Sequence, residues 1–372
     1  MKRRHLCLAA VWLLLALLSQ ARDTTRAAPA DERRYLYVAQ PGIRNYVEYG
    51  GIGVLVFDAD RGYSFVRRIP SQEVAEGAKP ENVKGIAASA RTGRLYVATI
   101  KRVMAFNLTT DRKVWDRLVD GGADRLAISP DGQLLYVPSL EGPHWTVLDG
   151  ATGDVRATIV TNSGAHNTVY GPDGRRVYLA GLKSKLLAVA DPKTHKVIAE
   201  IGPFSNVIRP FTINGRQTLC FVNVNDLLGF EVGDLKTGKM LHRVEVAGYS
   251  KGPVKRHACP SHGVALTPDE RELWLADAAN NAVHIFDARA MPPRQIETVK
   301  VRDQPGWVTF SIDGKYAYPS TGEVVDTKTR KIVATLTDEA GRAVQSEKVL
   351  EIVFAGGKPV RAGDQFGIGG RR

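Results

Sequence analysis

One pattern returns along this chain at an interval near forty residues: a tight turn, then a short apolar strand that carries an aromatic. It stands as Ser129-Pro130-Asp131-Gly132 before Leu134-Leu135-Tyr136-Val137, and as Gly171-Pro172-Asp173-Gly174 before Arg176-Val177-Tyr178-Leu179. It stands again as Thr267-Pro268-Asp269-Glu270 before Glu272-Leu273-Trp274-Leu275, and as Ser311-Ile312-Asp313-Gly314 before Lys315-Tyr316-Ala317-Tyr318. Weaker copies begin at Ala90 and Thr212, and the intervals between successive turns are 39, 42, 41, 55 and 44 residues. Each unit reads as four short strands. An inner strand meets the Pro-Asp-Gly reversal, a second and a third strand follow, and an Asp-x-x-x-Gly turn such as Asp149–Gly153 leads to an outer strand. Alternation and β-branched residues agree with strands, and no segment of residues 22–372 has helical periodicity. Four strands per forty residues, repeated around a ring, make an all-β seven-bladed β-propeller with four-stranded antiparallel blades.

Six inner strands are counted, beginning near residues 84, 124, 166, 208, 262 and 306. The N-terminal part adds three strands without an inner one, Arg34–Ala39, Gly53–Asp58 and Tyr63–Ile69, and the C-terminal part adds an inner strand alone, Lys348–Phe354. Together they make a seventh blade, so that the C-terminal inner strand joins the N-terminal blade and the ring is left without open sheet edges.

The start of the chain has a different character. Lys2, Arg3 and Arg4 precede an apolar run, Leu6 to Leu18, and Ser19-Gln20-Ala21 supplies small residues at a cleavage position. This is the pattern of an export signal, too short to span a bilayer comfortably. The expected layout is a signal peptide at 1–21 cleaved after Ala21, a flexible segment at 22–33, one propeller at 34–358 and a Gly/Arg-rich tail at 359–372. The expected location is the periplasm or the medium, with no transmembrane segment after cleavage. The net charge of +12 falls to +9 without residues 1–21. That balance favours anionic partners, but no block of like charge suggests specific nucleic-acid binding, and a monomer is expected.

The strand segments Arg94-Leu95-Tyr96-Val97-Ala98-Thr99, Arg176-Val177-Tyr178-Leu179-Ala180 and Glu272-Leu273-Trp274-Leu275-Ala276-Asp277 resemble the strand for which bacterial YVTN propeller repeats are named. Val147–Val155 and Val325–Val333 resemble their third-to-fourth strand segments. The likeness is to exported YncE-like members of that family, and Thr99, Gly181 and Asp277 stand where its consensus has asparagine. It implies the propeller; the family itself is functionally mixed, and a fold does not fix a function.

Chemistry is expected at one mouth of the ring. The long connections Gln40–Gly50, Pro70–Asn82, Gly248–Ser261 and Thr337–Glu347 all emerge on one face, and the Pro-Asp-Gly turns lie on the other. Counting six residues back from Pro130, Pro172 and Pro268 places Asp124, His166 and His262 on one rung of three inner strands, with Arg209 and Glu351 about two residues deeper. As catalytic candidates, His166 or His262 is a near-neutral base and Asp124 its orienting acid. The loop before the inner strand near residue 262 adds Tyr249, Lys251, Lys255, Arg256 and His257 as ligand-binding candidates beside Arg209 and Glu351. His166, His257 and His262 form a candidate zinc or copper set. Cys259 can serve that set or pair with Cys220 in a disulfide. Trp145, Trp274 and Trp307 read as packing between blades. There is no Gly-rich phosphate loop, nucleophile-elbow serine or Cys-x-x-Cys-His haem motif. Three readings follow: a binder of a small-molecule or polysaccharide ligand, preferably anionic; a lyase or lactone hydrolase; and a protein-interaction scaffold.

Overall fold

The computed structural model describes residues 32–253, 256–257 and 259–370. The residues proposed as signal peptide, and Lys255, lie outside that set. Seven antiparallel sheets are arranged as the blades of a ring. Blades 1 to 6 have four strands each and begin with the inner strands Val83–Ser89, Ala127–Ile128, Ala165–Tyr170, Ile208–Ile213, Ser261–Leu266 and Val308–Phe310. The remaining sheet takes strands from both chain ends. Glu32–Gln40 pairs on one side with Gly53–Asp58 and on the other with Val349–Ala355, in the register Tyr35 opposite Asp58 and Ile352. Among the described residues no helix is long and apolar enough to cross a membrane.

Local chemistry explains the reversals. In the turn after the second inner strand, Asp131 Oδ1 accepts from the Gln133 amide at 3.1 Å, and Gly132 takes φ +76°, a conformation glycine adopts without a Cβ penalty. Asp149 repeats the device between third and fourth strands, accepting from the Ala151 and Thr152 amides, and Gly153 completes the turn at φ +76°. Where glycine is missing, Glu270 occupies the left-handed position at φ +60°. Its carboxylate accepts from the Gly215 amide of the neighbouring blade at 2.6 Å, an inter-blade contact a glycine could not make.

The core is divided into clusters, most of which span two blades. Tyr136, Trp145 and Val147 of blade 2 pack on Ala165, Val177 and Leu179 of blade 3; Trp274 of blade 5 meets Phe310 of blade 6 edge to face at 5.5 Å. Trp145 and Trp274 are inter-blade packing, as the sequence suggests.

Two features depart from the simple repeat. The seventh sheet has a fifth strand, Lys358–Ala362, inside Val349–Ala355. Residues 363–370, which the sequence assigns to a tail, then run among the inner strands on the Pro-Asp-Gly face. Gln365 accepts from the Ile86 amide and donates to the Leu126 carbonyl, Gly367 O accepts from the Leu266 amide and from Thr212 Oγ1, and Phe366 and Ile368 are buried with blades 3 and 4. A Gly/Arg-rich composition reads as an unstructured tail because its hydrogen-bond partners lie on six different blades. A cavity of about 410 Å³ remains beside this segment.

Phe366→Ala is expected to cost about 3–5 kcal/mol of unfolding free energy, the range for a large core truncation, measured by urea denaturation. A loss below about 0.5 kcal/mol, typical of surface sites, would show that the segment is not part of the packed ring.

Candidate functional site

The starts of the inner strands on the loop-bearing face carry a buried network of charge. Asp124 and Arg125 precede the short inner strand of blade 2, His166 is the second residue of blade 3's, and Glu347 and Lys348 lead into Val349–Ala355. His166 Nδ1 donates to Asp124 Oδ2 at 2.7 Å, and Arg125 donates to His166 Nε2 at 3.4 Å. The same guanidinium donates to Glu347 Oε2 at 2.5 Å and lies over the Trp307 ring, 4.3 Å from its centroid. Lys348 Nζ reaches Glu347 Oε2 at 2.9 Å and the Gly42 carbonyl at 2.9 Å. Lys84 stands 3.4 Å from Asp124 Oδ2. On the far side of Glu347, the His257 and His262 rings stack with centroids 3.7 Å apart and planes 8° from parallel. His257 Nε2 is 2.8 Å from Glu347 Oε1, and His262 Nδ1 donates to the Gly306 carbonyl at 2.8 Å.

Burial sets the protonation states. Desolvation lowers the pKa of His166, against the opposing pull of Asp124. It lowers His257, and it takes His262 well below its ordinary value with His257 alongside adding to the effect. In each case burial disfavours the imidazolium form. Burial alone would raise the carboxyls of Asp124 and Glu347, but the charges around them prevail. His166 and Lys84 hold Asp124 low, and Lys348 and His257 hold Glu347 well below the usual range. Burial also brings Lys348 down to about 7 despite its pair with Glu347.

Of the rung Asp124–His166–His262, the fold brings the first two into contact and places His262 across the network, with Arg125 and Glu347 between them. The candidate metal set of His166, His257 and His262 does not converge. His166 is taken up by Asp124 and Arg125, and the residue grouped with His257 and His262 is Glu347, their ligand atoms lying within 4.8 Å of one another. Cys220 and Cys259 are both free thiols. Strand alternation turns Cys220 toward blade 3, where it packs with Ile201 and Phe204. Cys259 lies in the connection on the other side of blade 4 and donates to the Ser261 carbonyl at 2.9 Å. Burial pushes each thiol up to about 12, which disfavours the free thiolate at neutral pH.

The ligand-binding candidates divide. Arg209 donates to Asn225 Oδ1 at 2.5 Å and lies near enough to Cys259 for its charge to act on that thiol. Arg256 bonds Tyr49 Oη at 3.1 Å, and Arg44 bonds the Arg256 carbonyl at 3.0 Å; the loop after Gln40 thus meets the loop before blade 5 across the mouth. Tyr249, in the connection before blade 5, is drawn away to His284 and Lys300 in the third and fourth strands of that blade, and Lys251 pairs with exposed Asp226. Glu351 belongs to the opposite end. It lies deep in the strand Val349–Ala355, and it accepts from the Ile312 amide near Arg34 and Asp313.

Lys84, Arg125, Glu347, Lys348 and Trp307 are absent from the sequence-derived site. Glu347 and Lys348 had a signal, a carboxylate and a lysine at the start of an inner strand after a long connection. Trp307 reads as inter-blade packing but forms the wall of the network, with its indole N–H bonded to the Gln365 carbonyl.

No family model matches the sequence, and no curated protein matches it. Among solved structures the chain is similar to the β-propeller domain of Myceliophteria thermophila Cps50 (Swd1). The TM-score is 0.58 at 12% identity, over 74% of this chain and 87% of that one. It also matches Kuenenia stuttgartiensis hydrazine synthase with a TM-score of 0.45 at 14% identity, over 67% and 96% of the two chains. The first likeness shows the β-propeller fold; at these identities neither bears on activity.

Glu351 gives a pH test of the far end. Burial raises its carboxyl to about 7 from an ordinary 4.5. Between those values the folded chain holds a proton that the unfolded chain has released, so this group's contribution to stability falls as pH rises through the window. Glu351→Gln keeps an acceptor for the Ile312 amide. Its stability relative to the native chain should be higher at pH 8 than at pH 5 by on the order of 2–3 kcal/mol. An equal difference at both pH values would mean that Glu351 is ionised in the fold throughout.

Proposed function

We propose that this chain is an exported binding protein of the YVTN-repeat kind, holding a small organic acid at the loop-bearing mouth of its ring. The observation that carries the reading is the charge balance of the inner wall. Buried Arg125 and Lys348 are matched by Asp124 and Glu347, while Lys84 beside Asp124 and Arg209 near Cys259, both only partly buried, add positive charge beyond that match. A partly exposed basic rim of this kind attracts anions, and a carboxylate ligand would pair with it. Unpartnered polar atoms support a polar guest. Asp124 Oδ1, Arg125 Nε and both amide atoms of fully buried Asn167 have no hydrogen-bond partner, a condition rare in native interiors. The basic, apolar start of the sequence supports export.

The lyase or hydrolase reading is weaker on the same geometry. Asp124 orients His166 as a catalytic base requires, but Arg125 donates to the nitrogen that would take the proton. A scaffold role leaves the unpartnered atoms without a purpose.

The test is thermal unfolding with a panel of mono- and dicarboxylates against their neutral amides. A binding acid at a hundredfold excess over its Kd should stabilise by about 2.7 kcal/mol. The effect should be lost in Arg125→Met and weakened in Lys84→Met, whose side chain is partly exposed. If no acid raises Tm beyond its amide, the reading fails.

A further inference from the structure

We infer that His257, His262 and Glu347 form a site for one divalent transition-metal ion of the zinc class. The inference stands apart from the organic-acid reading, because its ligands need not touch the acid.

The first observation is a contact without a bond. His257 Nε2 and Glu347 Oε1 are 2.8 Å apart, yet Nε2 is a buried nitrogen with no hydrogen-bond partner. Two atoms bound to the same tetrahedral zinc at about 2.0–2.2 Å lie roughly 3.3–3.6 Å apart. The two atoms are thus near neighbours without a bond, and a modest opening of the pair, which a turn of the His257 ring supplies, would let them share one ion.

The second observation is how each ligand is held. His262 spends its Nδ1 proton on the Gly306 carbonyl, which leaves the lone pair on Nε2. This is the outer support that fixes a metal-binding histidine's tautomer. Glu347 spends Oε2 on Arg125 and Lys348, so Oε1 alone is presented to the imidazoles. The third is the space. A side chain at Gly306 would run into both His257 Nε2 and Glu347 Oε1, so the ligand atoms stay uncovered only because residue 306 is glycine.

The stacked rings set one condition. Their in-plane lone pairs are nearly parallel and do not meet at a point, so coordination requires one imidazole to turn. His262 is fixed by Gly306 and fully enclosed, whereas His257 sits in the connection before blade 5 and is partly exposed. His257 is the ring that turns. Two histidines and one carboxylate then leave a further coordination position.

Cobalt(II) is the probe, titrated into chelator-treated full-length protein, followed by zinc in competition. The expected result is one equivalent of cobalt with ligand-field bands of a low-coordinate nitrogen and oxygen site, displaced by zinc. Affinity should fall by at least about a hundredfold in His257→Ala and in Glu347→Gln, beyond the loss typical of an outer-shell change, and stay within about threefold in His166→Ala. Because Glu347→Gln removes a buried charge partner and can unfold the chain, X-ray absorption on the zinc-loaded native protein supplies a second measurement. Two imidazoles with oxygen and no sulfur are expected. Absence of a stoichiometric ion, full affinity in His257→Ala, or a sulfur ligand from Cys259 would each overturn the assignment.

Discussion

Each blade is held between two others, so both faces of its sheet must be apolar, and the consequences reach every part of this ring. Trp145 is buried against blade 3 and Trp274 against blade 6. Residues that alternate along such a strand find no solvent face to display polarity. Polar side chains are driven to the turns, the outer strands and the inner ends that look into the ring. The concentration of Lys84, Asp124, Arg125, His166, Glu347 and Lys348 on one inner rim follows from this packing rule, applied in several blades at once.

Gathering charge in a dry place creates a problem that the network solves only in part. Glu347 is the hub. It joins Arg125 from blade 2, Lys348 from its own strand and His257 from the blade 5 loop, and burial makes each of these pairs matter more than it would on a surface. Arg125 is shared between Glu347, His166 and the face of Trp307. Partly exposed Lys84 at the rim and the orphaned atoms of Asp124 and Asn167 are what these pairs leave over.

The two ends of the ring are treated differently. The loop-bearing end remains accessible at Lys84 and His257, with the Tyr49–Arg256 contact drawing two loops together above it. The other end is occupied by residues 363–370, which bond to residues of blades 1, 2, 4, 5 and 6 and to Glu351 of the seventh sheet. Trp307 is common to both ends, touching Arg125 on one side and Gln365 on the other.

The repeat, the blade count and the turn chemistry were legible in the sequence, because they are local. Pro-Asp-Gly, Asp-x-x-x-Gly and alternating strands act within a few residues, and rotational repetition carries the rest. The same register argument found the Asp124–His166 pair, since equivalent positions on adjacent inner strands must lie near each other. It could not tell that Arg125 separates that pair from His262, that Glu347 completes the group with His257, or that Cys220 and Cys259 face different blades. Those outcomes depend on which way a side chain leaves its strand and on partners more than two hundred residues away, as with Arg125 and Glu347. The course of residues 363–370 was hidden for the same reason, because its hydrogen bonds go to strands from the whole ring and leave no local pattern behind.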